Sequence, residues 1–292
     1  MKVVVSMALV LAPMVANAQA RDTVRVDYPV TKCPSCAAWS VPKKPFRIFG
    51  NTYYVGTAEL SSILITSPDG NVLIDGALPT SAPQILANIR SLGFRVEDVK
   101  LILNSHAHYD HAGGIAALQR ATKADLAVTD WSGAVITRGE SDERDPQFGL
   151  ALPFPAATVT RLVEDGDVLS VGNIRLTAHV TAGHTPGGTT WSWISCESGH
   201  CLNVVYADSQ SPISADGFLF TRNATYPTAE ADFAHGLATL ESLPCDILLT
   251  PHPGASSLFQ RADSATLANP ALCKEFVVSA RKAVAERIAR ER

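Results

Sequence analysis

Residues 105–114 of the chain are Ser105-His106-Ala107-His108-Tyr109-Asp110-His111-Ala112-Gly113-Gly114, which places four potential metal ligands within six residues. The preceding stretch, residues 99–103, is mostly apolar and predicts a strand, and residues 113–118 predict the start of a helix. These ligands are therefore expected on a strand-to-helix loop at the carboxyl end of a strand. Open α/β sheets place their chemistry at this position.

The spacing of the motif is H-x-H-x-D-H. In an extended or tightly looped segment, His106 and His108 can point the same way and share one metal ion, whereas Asp110 and His111 follow one turn later and can face a second ion. Imidazole suits zinc, and a carboxylate is an acceptable further ligand. The alternative is a polar loop with three unrelated histidines, and histidines elsewhere in the chain argue against it.

Two further loops each place a histidine at the end of a predicted strand. His184 lies in Gly183-His184-Thr185-Pro186-Gly187-Gly188, and His252 lies in Thr250-Pro251-His252-Pro253. With Asp110 and the three histidines of the first motif they make six ligands, enough for two zinc ions with open positions. The remaining histidines, His179, His200 and His235, have no partner motif and are interpreted as structural or exposed.

The order of predicted elements indicates the architecture. Strands are predicted at 46–49, 53–55, 62–66, 72–75, 99–103 and 126–128, and a second run of strands at 159–163, 168–171, 174–180, 189–194, 203–206 and 246–249. Helices are predicted at 83–92, 115–120, 131–137, 229–243 and 272–292. This order predicts two β-sheets packed face to face with helices outside, in one domain from about residue 21.

Residues 138–158 are rich in charge and proline and predict a long loop, a feature that is often functional in compact enzymes. Gln147 and Phe148 could line a pocket there or lie on a solvated surface, and a role for Trp39 in shaping the pocket is also left open. Asp75 ends a predicted buried strand. It is either a surface turn residue or a partner that orients a metal-binding histidine.

Residues 1–20 predict a secretory signal peptide, because Lys2 precedes an apolar run and Ala16-Asn17-Ala18 and Ala18-Gln19-Ala20 are small-x-small cleavage sites. We expect cleavage after Ala18 or Ala20, a domain at 21–292, and a periplasmic protein with no membrane association after cleavage. The alternative is a membrane anchor, but the apolar run is short for a span.

The six cysteines fit an oxidising compartment. They allow fifteen connectivities, among which the sequence alone cannot choose. Closeness along the chain suggests Cys33–Cys36, Cys196–Cys201 and Cys245–Cys273. The Cys33-Pro34-Ser35-Cys36 run could also be a redox or metal motif, although it lacks the strand and helix that would flank one, so a structural disulfide is favoured.

Composition excludes several partner classes. The 292 residues are 46% hydrophobic and 18% charged, with a net charge of -4, which describes an ordinary globular protein with a sizeable core. The body of the chain has no Lys/Arg-rich run, so we expect no nucleic-acid partner. Nothing marks an oligomer interface, and we expect a monomer.

Taken together, the first histidine motif, the Gly183-to-Gly188 loop, Tyr206-Ala207-Asp208-Ser209 and Leu248-Leu249-Thr250-Pro251-His252-Pro253 resemble the metallo-β-lactamase superfamily. More closely, they are similar to class B β-lactamases of the third subclass, over nearly all of the mature chain. The resemblance implies an α/β fold, an αββα sandwich of two mixed β-sheets with helices on the outer faces, and a dizinc site in a groove at one edge.

Carried onto matching positions, the resemblance implies that His106, His108 and His184 bind a first zinc ion. It implies that Asp110, His111 and His252 bind a second. Ser209 stands where the first two subclasses have a zinc-binding cysteine, as in the third subclass. Ser209 and Ser211 look like that subclass's contacts to the substrate carboxylate, although ordinary turn residues are the alternative.

The function implied is a zinc-dependent β-lactamase that opens the amide bond of penicillins, cephalosporins and carbapenems, conferring antibiotic resistance. A hydroxide bridging two Zn2+ ions attacks the lactam carbonyl, with Asp110 orienting it as the catalytic residue. A thioesterase, lactonase or phosphodiesterase of the same fold is one alternative, favoured if Asp208 points at the metals. Another is a periplasmic zinc-binding or thiol-redox protein with a reactive Cys33/Cys36 pair.

Overall fold

The computed structural model describes residues 33–292. The predicted signal peptide, its cleavage positions and the beginning of the predicted domain at 21–292 lie outside the described residues. Between Cys33 and Arg292, no helix combines the length and apolar character that crossing a membrane requires.

The first sheet follows chain order from edge to edge. Its strands are β1 (Phe46–Phe49), β2 (Thr52–Tyr54), β3 (Ile63–Ile65), β4 (Asn71–Ile74), β5 (Val99–Leu103), β6 (Asp125–Val128) and β7 (Arg161–Leu162). Neighbouring strands from β1 to β4 pair antiparallel, and those from β4 to β7 pair parallel. Parallel neighbours need a crossover connection, and the helices that follow β4, β5 and β6 supply it.

The second sheet has the order β12-β11-β10-β9-β8. Its strands are β8 (Val168–Val171), β9 (Ile174–Val180), β10 (Thr189–Glu197), β11 (His200–Tyr206) and β12 (Ile247–Leu249). β11 and β12 pair parallel, and the other neighbours pair antiparallel. Both sheets are therefore mixed, as predicted.

Helices cover the outer face of each sheet. The helices of the described chain are α1 (Cys36–Trp39), α2 (Ala82–Ser91), α3 (Tyr109–Ala112), α4 (Ile115–Thr122), α5 (Asp130–Arg138), α6 (Ala229–Ser242), α7 (Leu258–Asp263) and α8 (Pro270–Glu291). Of these, α7 lies apart from the outer faces, because its Leu258 packs in the layer between the sheets. Short 3-10 helices span Pro79–Ser81, Val96–Asp98 and Pro253–Ser256.

Alternation along the strands builds three apolar layers. In β4, Leu73 packs outward with the α2 and α4 side chains, while Val72 and Ile74 pack inward against the second sheet. A third layer lies between the second sheet and the pair α6 and α8, where Phe233 and Val277 are buried. Strands buried on both faces and helices apolar on one stripe require this arrangement, and the predicted αββα sandwich is confirmed.

One predicted strand belongs to a different sheet. The sequence places 159–163 at the start of the second run of strands, but β7 is only Arg161–Leu162 and pairs parallel with β6 of the first sheet. The reason is that Thr160 N–H and Val163 N–H bond the carbonyls of Leu126 and Val128, which complete the β6 edge.

All six cysteines are paired as their closeness in sequence suggested, in Cys33–Cys36, Cys196–Cys201 and Cys245–Cys273. The first closes the turn that leads into α1, the second joins β10 to β11, and the third ties the chain just before β12 to α8. No free thiol remains in residues 33–292.

Candidate metal centre

The predicted ligands gather where strands of both sheets end. The H-x-H-x-D-H motif follows β5, His184 lies between β9 and β10, and His252 follows β12. The sequence predicts a continuous loop for the motif, but Asp110 and His111 lie on α3, a single helical turn. The tight turn from α3 into α4 needs small residues, because a side chain at Gly114 would collide with the Gly76 carbonyl oxygen.

Asp75 anchors the start of this segment. The sequence predicts either a surface turn residue or a partner of a metal-binding histidine, and Asp75 is neither. It is fully buried, and its Oδ1 accepts hydrogen bonds from the Ser105 N–H at 2.7 Å and from Asn104 Nδ2 at 2.9 Å. Its Oδ2 accepts from Ser105 Oγ and from the Tyr206 hydroxyl, both at 2.7 Å. Asp75 therefore fixes the backbone just before His106 and joins it to β11, rather than bonding a histidine ring itself.

Three buried histidines form what we call the three-histidine group: His106, His108 and His184. One nitrogen from each of these rings lies within 4.8 Å of the others. The ring centroids are 4.8 to 5.2 Å apart and the ring planes are nearly perpendicular. Nitrogens converging from perpendicular rings suit a tetrahedral metal ion.

The outer nitrogen of each of these rings already has a partner. His106 Nδ1 lies 2.7 Å from Asp208 Oδ1, and His184 Nδ1 lies 2.8 Å from the carbonyl oxygen of Ser211. His108 is turned the other way, with Nε2 2.9 Å from Asp145 Oδ2. An oxygen acceptor fixes the hydrogen on the nitrogen that faces it, so the inward nitrogen keeps its lone pair for a metal ion.

The other predicted ligands, Asp110, His111 and His252, form what we call the mixed group. Asp110 Oδ2 lies 3.3 Å from His111 Nε2 and 3.4 Å from His252 Nε2. Asp110 and His111 also lie within 4.8 Å of a nitrogen of His106, so the two groups adjoin. The outer nitrogen of His252, Nδ1, lies 3.2 Å from the Glu59 carbonyl oxygen.

His111 shows that the centre suits a metal. The residue is fully buried, yet neither ring nitrogen makes a hydrogen bond within residues 33–292, and Asp110 Oδ2 lies 3.3 Å from Nε2. A buried imidazole that makes no hydrogen bond is costly, and a cation bound by its lone pair would remove that cost. The donor set of histidines and one carboxylate is the set that zinc prefers.

The pKa directions of His106, His184 and Asp110 agree with their ligand forms. Those of His108 and His252 do not, because burial would lower both pKa values but Asp145 and Asp110, respectively, outweigh it and raise them. Burial lowers the pKa of His106 well below its usual range, and the His111 and His184 rings lower it further. Burial also lowers the pKa of His184. Burial alone would raise the pKa of Asp110, but the His111 and His252 rings outweigh it and hold that pKa well below its usual range. Neutral rings and an ionised carboxylate are the forms that bind metal.

Two carboxylates, Asp208 and Asp145, face histidines of the centre, and the sequence analysis singles out only Asp208. Asp208 follows β11 and its Oδ1 faces His106, so it belongs to neither set of metal-ligating atoms found in the described chain. Asp145 was not predicted. It lies in the long polar loop, is fully buried, and accepts from Ser141 Oγ and from the Gln147 N–H as well as facing His108. Apart from the loop's length, no sequence signal marked it.

The remaining predicted residues surround the centre. Ser211 Oγ lies 3.2 Å from His184 Nδ1, and half-buried Ser209 lies two residues earlier. Gln147 Nε2 lies 3.3 Å from His184 Nε2, and the Trp39 ring lies 5.6 Å from the His252 ring, so both contact proposed ligands.

The other three histidines lie apart from these groups, as interpreted. His179 pairs with Ser192 Oγ, His200 packs on Phe49, and His235 is exposed on α6.

Comparisons with known proteins found a matching family model and similar solved structures. The family model of the metallo-beta-lactamase superfamily matches residues 59–195. The solved structure of Rm3 metallo-beta-lactamase is 49% identical with a TM-score of 0.87, covering 89% of this chain and 99% of that one. MEM-A1, a subclass B3 metallo-beta-lactamase from a soil metagenome library, is 42% identical with a TM-score of 0.85, covering 87% and 98%.

Curated relatives are more distant. A protein of Burkholderia pseudomallei named "probable metallo-hydrolase" is 29% identical over 193 residues, which are 62% of this chain and 60% of the relative. The chain thus spans less than two thirds of that protein. The solved structures, in contrast, match it along almost their whole length, and from them we conclude that the chain belongs to the metallo-beta-lactamase superfamily and, within it, to the B3 subclass.

Proposed function

We propose that the protein is a zinc-dependent β-lactamase that hydrolyses the ring amide of penicillins, cephalosporins and carbapenems and so confers antibiotic resistance. The observation that carries the proposal is the pair of adjoining groups at one edge of the sandwich, six potential ligands of which five are buried. The solved B3 enzymes, at up to 49% identity over almost their full length, support the same substrate class.

In this proposal the three-histidine group holds one zinc ion and the mixed group holds a second. Bound zinc supplies Lewis acidity, which polarises a carbonyl and makes water a nucleophile at neutral pH. The chain needs no serine or cysteine nucleophile for such a hydrolysis.

In this proposal the protein's own residues orient the attacking water, hold the ligand rings and bind the substrate carboxylate. Asp110 stays ionised, and its Oδ2, 3.3 Å from His111 and 3.4 Å from His252, can accept a hydrogen bond from the attacking water and set its direction. Asp145 and Asp208 keep the His108 and His106 rings in one orientation. Ser209 and Ser211 would donate to the carboxylate of the substrate.

The alternative activities of this fold are less well supported. A thioesterase, lactonase or phosphodiesterase reading required Asp208 to point at the metals, but its Oδ1 faces Nδ1 of His106. We therefore propose Asp208 as a residue that orients His106 rather than as a ligand.

We also propose export to the periplasm, with the signal peptide at 1–20 removed and the mature chain from residue 21 acting as one domain. The three disulfides of the described chain fit an oxidising compartment.

The proposal is tested by hydrolysis of a chromogenic cephalosporin and a carbapenem by the purified mature protein, with and without a chelator. We expect turnover that chelator abolishes and added zinc restores. His184→Ala should lose this activity, and His235→Ala, which removes an exposed histidine on α6, should keep it. Absence of turnover by folded, zinc-loaded protein would contradict the proposal.

A further inference from the structure

A cavity of 540 Å³ opens beside the mixed group. We call it the helix cavity. Its walls are residues 209–211 after β11, residues 250–252 after β12, and one face of α8. Since Ser209, Ser211 and His252 line it, the cavity is continuous with the proposed catalytic centre.

The α8 wall is one stripe of the helix. The residues that line the cavity are Leu272, Glu275, Phe276, Ser279, Ala280 and Ala283, each of which lies three or four residues from another of the set. Side chains at this spacing share a face. A neighbouring stripe, with Val277, Val284 and Ile288, is buried with α6 in the outer apolar layer. Leu272, Phe276 and Ala280 pack partly against the same layer and also line the cavity.

The wall is fixed at its amino-terminal end. The Cys245–Cys273 disulfide ties the first turn of α8 to the segment before β12. The Asn269 side chain accepts from the Ala271 N–H at 3.2 Å and caps the helix. A preformed wall loses little conformational entropy when a ligand binds.

The chemistry of the walls favours a particular kind of ligand. Leu272, Phe276 and Ala280 make the α8 face largely apolar, while Glu275 adds one carboxylate. No lysine or arginine lines the cavity, and Glu275 has no ion-pair partner within the described residues 33–292. The helix cavity is thus suited to an apolar group that carries a positive charge.

We propose that the helix cavity is a substrate subsite in which Glu275 selects cephalosporins with a cationic ring substituent. The proposal rests on the β-lactamase function above. In a cephalosporin, the carbon next to the carboxylate-bearing carbon carries the second side chain. A carboxylate held by Ser209 and Ser211, which line both the centre and the cavity, directs that side chain towards α8.

A matched pair of substrates tests the subsite. Cephaloridine and cephalothin share the same acyl side chain and differ only in the second one, a pyridinium in the former and a neutral acetoxymethyl group in the latter. We expect Glu275→Gln to raise KM for cephaloridine by about three- to fivefold, the contribution of a partly exposed ion pair, and to leave cephalothin unchanged. High salt should reduce the preference in the wild type.

Two further variants separate charge selection from a general effect on α8. Glu286→Gln removes the same charge from an exposed part of α8, where Glu286 lies 3.9 Å from Lys282, and should change neither KM. Ser279→Trp, at an exposed position of the cavity face, should raise KM for both cephalosporins relative to benzylpenicillin, whose corresponding substituents are only methyl groups.

The outcomes distinguish this subsite from the proposed function. Turnover of both substrates with an unchanged KM ratio in Glu275→Gln would overturn the subsite alone. An equal rise in the KM for cephaloridine in Glu286→Gln would also overturn the subsite, since the charge would then act at a distance. If zinc-loaded wild type hydrolyses neither cephalosporin, the β-lactamase function is contradicted and the subsite falls with it.

Discussion

In the three-histidine group, each ring is buried and its outer nitrogen meets an oxygen from a different part of the chain: Asp208, Asp145 or the Ser211 carbonyl, at 2.7 to 2.9 Å. In the mixed group, the His252 side chain is 38% exposed, and its outer nitrogen meets a backbone carbonyl at 3.2 Å. His111 has no hydrogen-bond partner from the described chain on either nitrogen. One short motif therefore contributes ligands to two groups that differ in how firmly the fold holds them.

This difference teaches that ligand spacing and ligand orientation have separate origins. His106, His108, Asp110 and His111 come from six consecutive residues. The carboxylates that orient His106 and His108, in contrast, lie 102 and 37 residues away along the chain. Oriented ligands lose less freedom when a metal binds, and their outer partners raise affinity. We therefore expect the three-histidine group to bind zinc more tightly than the mixed group.

Removing one ligand from each group should produce the largest contrast. We expect His252→Ala to retain one tightly bound zinc ion, and His184→Ala to bind zinc more than about 100-fold more weakly, beyond the loss that removing an outer partner causes. Metal content after dialysis against a buffered chelator measures both. If the two variants retain equal zinc, the contrast between the groups is wrong.

Removing the outer partner of His108 should have the next largest effect. Asp145→Asn keeps the size of the side chain but loses the charge that faces Nε2, and we expect zinc affinity of the three-histidine group to fall by about 10- to 100-fold. Competition with a chromophoric chelator measures it. The matched control is Asp142→Asn in the same loop, because Asp142 contacts Arg138, Arg144 and Trp131 rather than a proposed ligand. An equal loss in both variants would assign the effect to the loop as a whole.

Asp145 also shows how much of the site could be predicted from the sequence. The strands, the five longest helices (α2, α4, α5, α6 and α8) and the six proposed ligand positions follow from local patterns, because apolar alternation and ligand spacing are properties of neighbouring residues. The sequence does not predict the short helices α1, α3 and α7. Asp145 lies in a segment without periodicity, and only tertiary structure brings it to His108. The same limit applies to 159–163, whose membership of the first sheet depends on the exposed edge of β6 rather than on its own residues.

A smaller effect should come from the aromatic contact on the mixed group. The Trp39 ring lies 5.6 Å from the His252 ring and 6.0 Å from the Tyr109 ring. Because such ring pairs contribute about 0.5–1.5 kcal/mol, we expect Trp39→Ala to weaken binding of the second zinc ion by about three- to tenfold. Trp39→Phe should restore most of it. Zinc titration of both variants checks this. Equal zinc affinity in Trp39→Ala and wild type would show that the Trp39 ring does not support zinc binding by His252.

The smallest expected effect concerns the exposed end of the loop that carries Asp145. Burial alone would raise the pKa of Asp142, but hydrogen bonds from Arg144 and Trp131 outweigh it and lower that pKa to about 2, from an ordinary value of 3.8. A lowered folded-state pKa stabilises the protein at pH values above the unfolded-state pKa, and that stability is lost as pH falls through about 2.

Because the Asp142–Arg144 pair is largely exposed, we expect Asp142→Asn to reduce the free energy of unfolding by less than about 1 kcal/mol at pH 7. Denaturant unfolding of chelator-treated protein should show this difference shrinking below pH 4, since protonated aspartate resembles asparagine. A difference that is constant from pH 7 to pH 2 would mean that the loop is held by packing rather than by this charge, and that Asp145 needs no support from the exposed end.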